Sequence, residues 1–352
     1  CSGGILAGRT GGKRLFPRGE GEGVSATSEE RTNCFMSEKK RMGLYLGIVF
    51  VLAWGAYIVA WVCGLHYGDT GFRTVLTIAA FFPALAMIIC RKVGDEGYDL
   101  DDAYIAPHLR GNVRRYLFAY FFPLFLVCLT CLLFFTFFPE NCDLAATEFL
   151  DGMVEMGMER ERAVGAMYSQ IMMTIVAGPL INVLITFAEE LGFRGYLLPK
   201  LKHCFQKYAG LKSALVCGAL WSAWYLPLYG DGYLYGTGYP GYPVLGFVTG
   251  FLFYGLLGVI LSYFAFKTGS VIPGALLRSG ISAMAVTGVY FTTGESYLVV
   301  GPSVYGLCGC LALLLFALLY GLRMLRMERQ GVLYYAPPPP RKKRKRTKVA
   351  KK

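Results

Sequence analysis

The chain has 352 residues, of which 55% are hydrophobic and only 16% are charged, whereas soluble proteins carry about 25% charged residues. This composition argues against an ordinary soluble enzyme. The formal net charge of +12 is concentrated at the two ends, because residues 341–352 hold nine basic and no acidic side chains and residues 1–43 hold eight basic and five acidic ones. The remaining body is neutral, so no nucleic-acid partner is expected.

Residues 1–43 are rich in Gly, Ser, Arg and Glu and lack an apolar pattern. Such a composition cannot bury enough apolar surface to fold, so we expect a disordered cytoplasmic N-terminal segment. Met36 opens a stretch that is typical of the start of a membrane protein, and the residues before it are interpreted as a candidate start-site artefact.

The body of the chain, residues 44–329, is broken into long stretches that are continuously apolar and do not alternate with polar residues. A helix needs about 20 apolar residues to cross a bilayer, whereas a barrel strand would alternate. We therefore predict an all-α, polytopic membrane protein of about eight transmembrane helices. The predicted spans are 44–65, 72–90, 116–138, 167–188, 211–229, 244–266, 270–291 and 302–322.

Lysine and arginine in the short loops predict the orientation, since they accumulate on the cytoplasmic side. The predicted outer side carries an acidic segment at 139–166 and few basic residues. An integral protein of the cell membrane with both termini cytoplasmic is therefore predicted. The basic residues assigned to the cytoplasmic side are Lys39, Lys40, Arg41, Arg91, Lys92, Arg110, Arg114, Arg115, Arg194, Lys200, Lys202, Lys207, Lys212 and Lys267, and those assigned outside are Arg73, Arg160 and Arg162.

Residues 330–352 form a Pro-rich and basic cytoplasmic tail. Four prolines, 337–340, predict a short stiff spacer before the basic run. We expect this run to lie on anionic lipid headgroups, at about 1 kcal/mol per basic residue.

Ionisable residues at membrane depth are costly and tend to mark function. The stretch EELGFRGYLLPKL follows the predicted fourth span, at its cytoplasmic end, and carries Glu189, Glu190 and Arg194. Glu190 and Arg194 are four residues apart on one helix face and are predicted to pair, while Glu189 points about 100° away. Arg278 stands alone within another apolar span. A polar helix end with a structural salt bridge would explain the glutamates equally well.

Three segments resemble one known family. EELGFRGYLLPKL is similar to the first motif, EExxxR, of the CPBP family (the CAAX protease and bacteriocin-processing group, also called ABI proteins and type II CAAX prenyl endopeptidases). GALWSAWYLPLY at 218–229 and KTGSVIPGALLRSGISAM at 267–284 resemble its second and third motifs. The CPBP-like core covers about 170–295.

The resemblance implies an eight-helix intramembrane metalloprotease whose active site opens toward the cytosol. Some members cleave prenylated CAAX proteins, and many bacterial ones are linked to bacteriocin immunity or maturation. A peptide or a lipidated protein is therefore the expected substrate or ligand. The resemblance also implies that Glu189, Glu190 and Arg194 are the catalytic residues of the first motif.

The later motifs depart from the family pattern. Tyr225 and Arg278 stand where the resemblance implies histidines, and Ser282 stands where it implies asparagine. A zinc site needs at least three protein ligands, and two carboxylates beside an arginine do not supply them. The resemblance implies zinc, but no metal or other cofactor is expected to bind.

Two hypotheses therefore remain. The chain is either an intramembrane endopeptidase with weakened or absent catalysis, or a non-catalytic binding or immunity-type membrane protein on the same scaffold; a solute transporter is a distant third. An arginine inside a span needs a partner, so Arg278 is predicted to pair with the acidic motif and to hold the site shut, with Tyr225 as a hydrogen-bonding wall. The alternative is that Arg278 faces water and binds an anionic ligand or lipid group.

Overall fold

The computed structural model describes residues 37–97 and 103–336, and within them the fold is all-α, with no β-strand. The predictions for the segment before residue 37 and for the basic run 341–352 lie outside the described residues. A seven-residue π-helix, Leu191–Leu197, and two short 3₁₀ helices, Pro139–Asn141 and Thr287–Phe291, interrupt the α-helices. In chain order the α-helices are α1 Glu38–Val62, α2 Thr70–Ala79, α3 Phe82–Val93, α4 Val113–Phe137, α5 Thr147–Glu155, α6 Arg160–Val176, α7 Gly178–Ile181, α8 Val183–Glu190, α9 Leu198–His203, α10 Ala209–Trp224, α11 Leu226–Tyr229, α12 Val244–Thr268, α13 Ile272–Met284 and α14 Leu307–Arg329.

Six helical segments of the described chain are long and apolar enough to cross a membrane. This confirms the prediction of an all-α, polytopic membrane protein. The segments are Glu38–Val62, Thr70–Val93, Val113–Phe137, Val244–Thr268, Ile272–Phe291 and Leu307–Arg329. They correspond to all the predicted spans except the fourth and the fifth.

The predicted fourth and fifth spans are helical but are divided into shorter pieces. The fourth is divided at Ala177 and Asn182 into α6, α7 and α8, and Pro179 in α7 has no backbone N–H with which to continue the hydrogen-bond ladder. The fifth is α10 followed by α11, with Pro227 near the break. Uncharged length alone did not reveal these breaks.

Several helix ends differ from the predicted boundaries, and two helices continue well into charged sequence. α1 begins at Glu38 and not at 44, and the Ser37 side chain accepts a hydrogen bond from the Lys40 N–H as an N-cap. α14 extends to Arg329 and not to 322, with basic residues in its last turn, where they interact favourably with the helix dipole.

The loops that were predicted to be cytoplasmic contact one another at one end of the helices. Arg41 Nη2 donates to the Gly94 carbonyl at 2.8 Å, and Lys200 Nζ donates to Glu96 Oε2 at 2.9 Å. The Tyr335 N–H donates to the Phe266 carbonyl at 2.8 Å. The side of the membrane on which this basic end lies stays a prediction.

Helices α10 and α12 approach each other closely at paired glycines. A Cβ on Gly218 would lie 3.1 Å from the Gly255 carbonyl oxygen, and one on Gly258 would lie 2.7 Å from the Gly218 Cα. Small residues allow such backbone contact between membrane helices. The close packing fixes α10, which carries the second motif, against the centre of the molecule.

The charge distribution of the loops predicts that residue 150, in the acidic segment, and residue 341, in the basic tail, lie on opposite sides of the membrane. Reporter fusions that are active on only one side, inserted separately at the two positions, measure this. Activity of both fusions on the same side would contradict the predicted topology.

Candidate functional site

The first motif lies within a helical run and not at its end. α8 ends at Glu190, but the chain continues as the π-helix Leu191–Leu197 and then as α9 to His203. The expectation that the motif sits at the cytoplasmic end of the fourth span is therefore wrong. Glu189 and Glu190 are 2% and 1% exposed, and their charges are compensated inside the protein, so the helix does not have to end where they occur.

Glu189 is held by donors from two other helices. Arg278 Nη2, on α13, lies 2.9 Å from Oε1 and 2.8 Å from Oε2. Tyr225, at the end of α10, donates its hydroxyl to Oε2 at 2.8 Å, and Trp221 Nε1 is 3.3 Å from the same oxygen. The predicted pairing of Arg278 with the acidic motif is thus present in the structure. Both oxygens of Glu189 are engaged.

Glu190 forms a second pair, with Arg194. Arg194 Nη1 lies 2.9 Å from Glu190 Oε1, and both side chains are fully buried. This is the predicted contact across four residues. Glu190 Oε2, Arg194 Nε and Arg194 Nη2 are buried without a hydrogen-bond partner in the described part of the chain, so the pair is joined by a single hydrogen bond and not by two.

Trp221 connects the two ion pairs. The Arg194 guanidinium lies 4.0 Å from the centre of the indole ring, and the Arg278 guanidinium lies 5.0 Å from it. Cations on an aromatic face are stabilised by the ring quadrupole. Sequence reasoning missed this residue, although its place in Trp-x-x-Trp of the second motif, four residues before Tyr225, was a usable signal.

Tyr225 is part of an aromatic wall. Its ring stacks on Tyr254 at 4.5 Å and on Tyr233 at 5.6 Å between centroids, and its hydroxyl also accepts from Arg278 Nη2 at 2.6 Å. Tyr254 lies on α12 and Tyr233 in the Tyr-rich segment 230–243, which the sequence analysis did not connect with the site. The wall fixes the Tyr225 hydroxyl toward Glu189.

A cavity of about 200 Å³ adjoins Glu189, Tyr225 and Arg278. The third altered motif residue, Ser282, also lines it and accepts a hydrogen bond from the Tyr305 hydroxyl at 3.3 Å. Ser282 on α13 and Thr77 on α2 are exposed, so the cavity reaches the surface between these two helices. Four of the six candidate residues therefore line one cavity, and the other two, Glu190 and Arg194, form the neighbouring ion pair, with Arg194 against the Trp221 ring.

The cavity lies nearer to the acidic end of the helices than to the basic end. Its lining includes Tyr57 of α1, which at about 1.5 Å per residue is about 28 Å from Glu38 and about 8 Å from Val62. With the predicted orientation, the cavity lies nearer to the outer end of α1 than to its cytoplasmic end.

The residues at the site do not fit a zinc ion. Zinc needs at least three N, S or O ligands from the protein, and the described residues contain no group of three His, Cys, Asp or Glu side chains that could hold a metal. His66 contacts Asp231 in an exposed loop, His108 stacks on Tyr335, and His203 ends α9.

Comparison with known proteins supports the resemblance seen in the sequence. Residues 170–284 match the family model described as type II CAAX prenyl endopeptidase, Rce1-like. The match includes all three motif segments, and with them Glu189, Tyr225 and Arg278. A comparison with the curated proteins finds no match.

The π-helix packs against α3 so closely that Gly192 is required. A Cβ at this position would lie 2.4 Å from Pro83 Cβ and 2.6 Å from the Pro83 carbonyl oxygen. We expect Gly192→Ala to lower the free energy of unfolding in detergent by about 1–3 kcal/mol, as overpacking does. The matched control is Gly165→Ala on α6, where no atom lies within 4 Å and a gain of about 0.5–1 kcal/mol is expected. Equal effects of the two substitutions would contradict the close contact.

The Glu189–Arg278 pair predicts strong energetic coupling. In a double-mutant cycle on stability in detergent, Arg278→Leu and Glu189→Gln should couple by about 1–3 kcal/mol, because each single change leaves a buried group without its partner. The control cycle uses Arg162 and Glu159, a pair whose side chains are 79% and 77% exposed, where coupling below about 0.5 kcal/mol is expected. Coupling of the buried pair at that low level would show that the ion pair does not form.

Proposed function

We propose, from the geometry of the site and from the match of residues 170–284 to the family model described as type II CAAX prenyl endopeptidase, Rce1-like, that the chain is an intramembrane endopeptidase-like protein with weakened or absent catalysis. It would bind a peptide or a lipidated protein from within the membrane. The observation that carries this proposal is the contact of Arg278 with both oxygens of Glu189.

Water activation is the step that this contact opposes. A general base must be free to take a proton from the attacking water. Glu189 already accepts hydrogen bonds from Arg278, Tyr225 and Trp221, and the guanidinium does not lose its charge at any working pH. The carboxylate that would act as the base is therefore occupied as an ion-pair partner.

The remaining polar groups at the site compensate poorly for this loss. The Tyr225 hydroxyl could donate to a developing oxyanion, but it already donates to Glu189 and accepts from Arg278. Ser282 faces the cavity, and its hydroxyl accepts a hydrogen bond from Tyr305 and does not contact Glu189. Weak residual catalysis would require the ion pair between Glu189 and Arg278 to break, so that the carboxylate could accept a proton from water.

The size of the cavity favours binding of a single side chain or chain terminus. Its volume of about 200 Å³ is below the range of about 300–1,000 Å³ that is usual for small-molecule sites. A bound segment would lie along the opening between α2 and α13, near Thr77 and Ser282, with one group inserted toward Arg278. The non-catalytic binding or immunity-type alternative is favoured by the same locked ion pair.

A reporter assay tests the catalytic part of the proposal. Purified protein is incubated with a membrane-anchored reporter peptide, and the cleavage rate is compared with that of Glu189→Ala and of Tyr225→His/Arg278→His, which removes the lock. We expect wild type and Glu189→Ala to be equally slow, within about twofold, because the carboxylate is already engaged. Fast cleavage by wild type that Glu189→Ala abolishes would contradict the proposal.

Elemental analysis of the same preparations provides a second readout. Wild-type protein is expected to contain far less than one zinc per chain, and chelators should not change its stability, because the donor set is incomplete. About one zinc per chain that is lost in Glu189→Ala would reinstate a metalloprotease.

Cross-linking tests the binding part of the proposal. A photoreactive residue at position 282 should cross-link the peptide, whereas one at the lipid-facing position 315 should not. Equal cross-linking at both positions would argue against the cavity as the binding site.

A further inference from the structure

Two adjoining cavities lie at the basic end of the molecule, far from the acidic motif along the helices. The first, of about 410 Å³, is lined by Arg110, Arg115 and Lys267 together with residues of the stretch 331–336. The second, of about 450 Å³, is lined by Arg114, Arg115 and Arg323. Arg115 lines both, so we treat them as one basic cleft, defined by these five cations.

Within residues 37–97 and 103–336, the cations of the basic cleft form no ion pair with a carboxylate. Neither described lining includes an aspartate or a glutamate. Arg115 Nη1 donates to Asn112 Oδ1 at 2.7 Å, and Lys267 Nζ donates to the Val332 carbonyl at 2.6 Å, which are both uncharged acceptors. Like charges gathered in one cleft repel each other, so a bound anion would stabilise the arrangement.

The start of α4 adds to the positive electrostatic potential of the basic cleft. The helix is 25 residues long, begins at Val113 next to the cleft, and has no side-chain cap at Asn112. The first N–H groups of a long helix carry a partial positive charge and favour anions, phosphate among them. Gly111 lines both cavities at this helix start.

Exposed apolar surface continues from the basic cleft along the same helices. Phe118 on α4 packs against Tyr320 on α14, with ring centroids 6.2 Å apart, and forms part of the lining. Farther from the basic end, Phe121 on α4 is 58% exposed and Leu319 on α14 is 54% exposed. A ligand that carried both a negative group and hydrocarbon chains would match the whole surface.

We propose that the basic cleft is a binding site for one anionic glycerophospholipid, with the headgroup phosphate among Arg110, Arg114, Arg115, Lys267 and Arg323 and the acyl chains on α4 and α14. Basic pockets between membrane helices are suited to such headgroups. The apolar continuation distinguishes a lipid from free phosphate as the occupant. The proposed site is defined by residues other than the basic run 341–352, and it does not depend on catalysis at Glu189.

The proposal is tested on full-length protein in a neutral detergent that is titrated with dioleoyl phosphatidylglycerol. Native mass spectrometry measures how many lipid molecules stay bound, and thermal unfolding measures the stabilisation that they cause. The cleft variant is Arg110→Gln/Arg114→Gln/Arg323→Gln, whose side chains are exposed and form no ion pair with another described residue. The matched control is Lys92→Gln/Lys207→Gln/Lys212→Gln, which removes the same charge from exposed positions outside the cleft. The basic tail is identical in both proteins.

We expect wild type and the control to retain one phosphatidylglycerol and the cleft variant to bind it at least tenfold more weakly. Dioleoyl phosphatidylcholine and inorganic phosphate should each bind at least tenfold more weakly than phosphatidylglycerol to wild type. Equal loss in the control and the cleft variant, or equal binding of phosphatidylcholine, would overturn the site. If inorganic phosphate stabilises the protein and the lipid does not, the cleft binds phosphate and the lipid is not its occupant.

A single substitution is the fallback if circular dichroism shows that the triple variant is misfolded. Arg114→Gln alone is then expected to weaken phosphatidylglycerol binding at least threefold, and unchanged binding would contradict the proposal.

Discussion

The contact between Arg278 and Glu189 is the constraint on which the centre of this molecule depends. A charge cannot be placed among apolar helices without a compensating partner, and the cost of leaving either one alone is several kcal/mol. The pair joins α13 to α8, and Tyr225 and Trp221 bring α10 to the same carboxylate. Three helices are thus positioned by one buried network, and the substitutions at the motif positions are mutually compatible as a set.

This network also decides what the site can do. An arginine remains charged where a histidine would change protonation, so the altered motif replaces a titratable centre with a fixed ion pair. The aromatic wall of Tyr225, Tyr254 and Tyr233 keeps the hydroxyl aimed at Glu189. In the proposed function, the small cavity beside Glu189 serves for binding, while the ion pair opposes the proton transfer that hydrolysis requires.

The two ends of the helices have different chemistry, and this separates two kinds of recognition. The cavity beside Glu189 lies nearer the acidic end and is the proposed site for a peptide segment. The basic cleft lies at the opposite end and suits a negative headgroup with hydrocarbon chains. A lipid held there would bridge α4, α12 and α14, and α4 packs on α13 where Gly280 meets Pro123, so the two sites are connected through one helix.

The sequence by itself determined the fold class and the resemblance to one family over residues 170–284, because continuous apolar length and the spacing of Glu189, Glu190 and Arg194 are local properties. It also predicted the partner of Arg278, since a buried charge has few candidates. It did not determine the breaks in the fourth and fifth spans, the continuation of the helix beyond Glu190, or the roles of Trp221, Tyr233 and Tyr254. Those depend on which side chains meet across helices, as when Trp221 lies between two guanidiniums. Only the tertiary structure decides such contacts, because packing between helices is set by shape and charge compensation over residues distant in the chain.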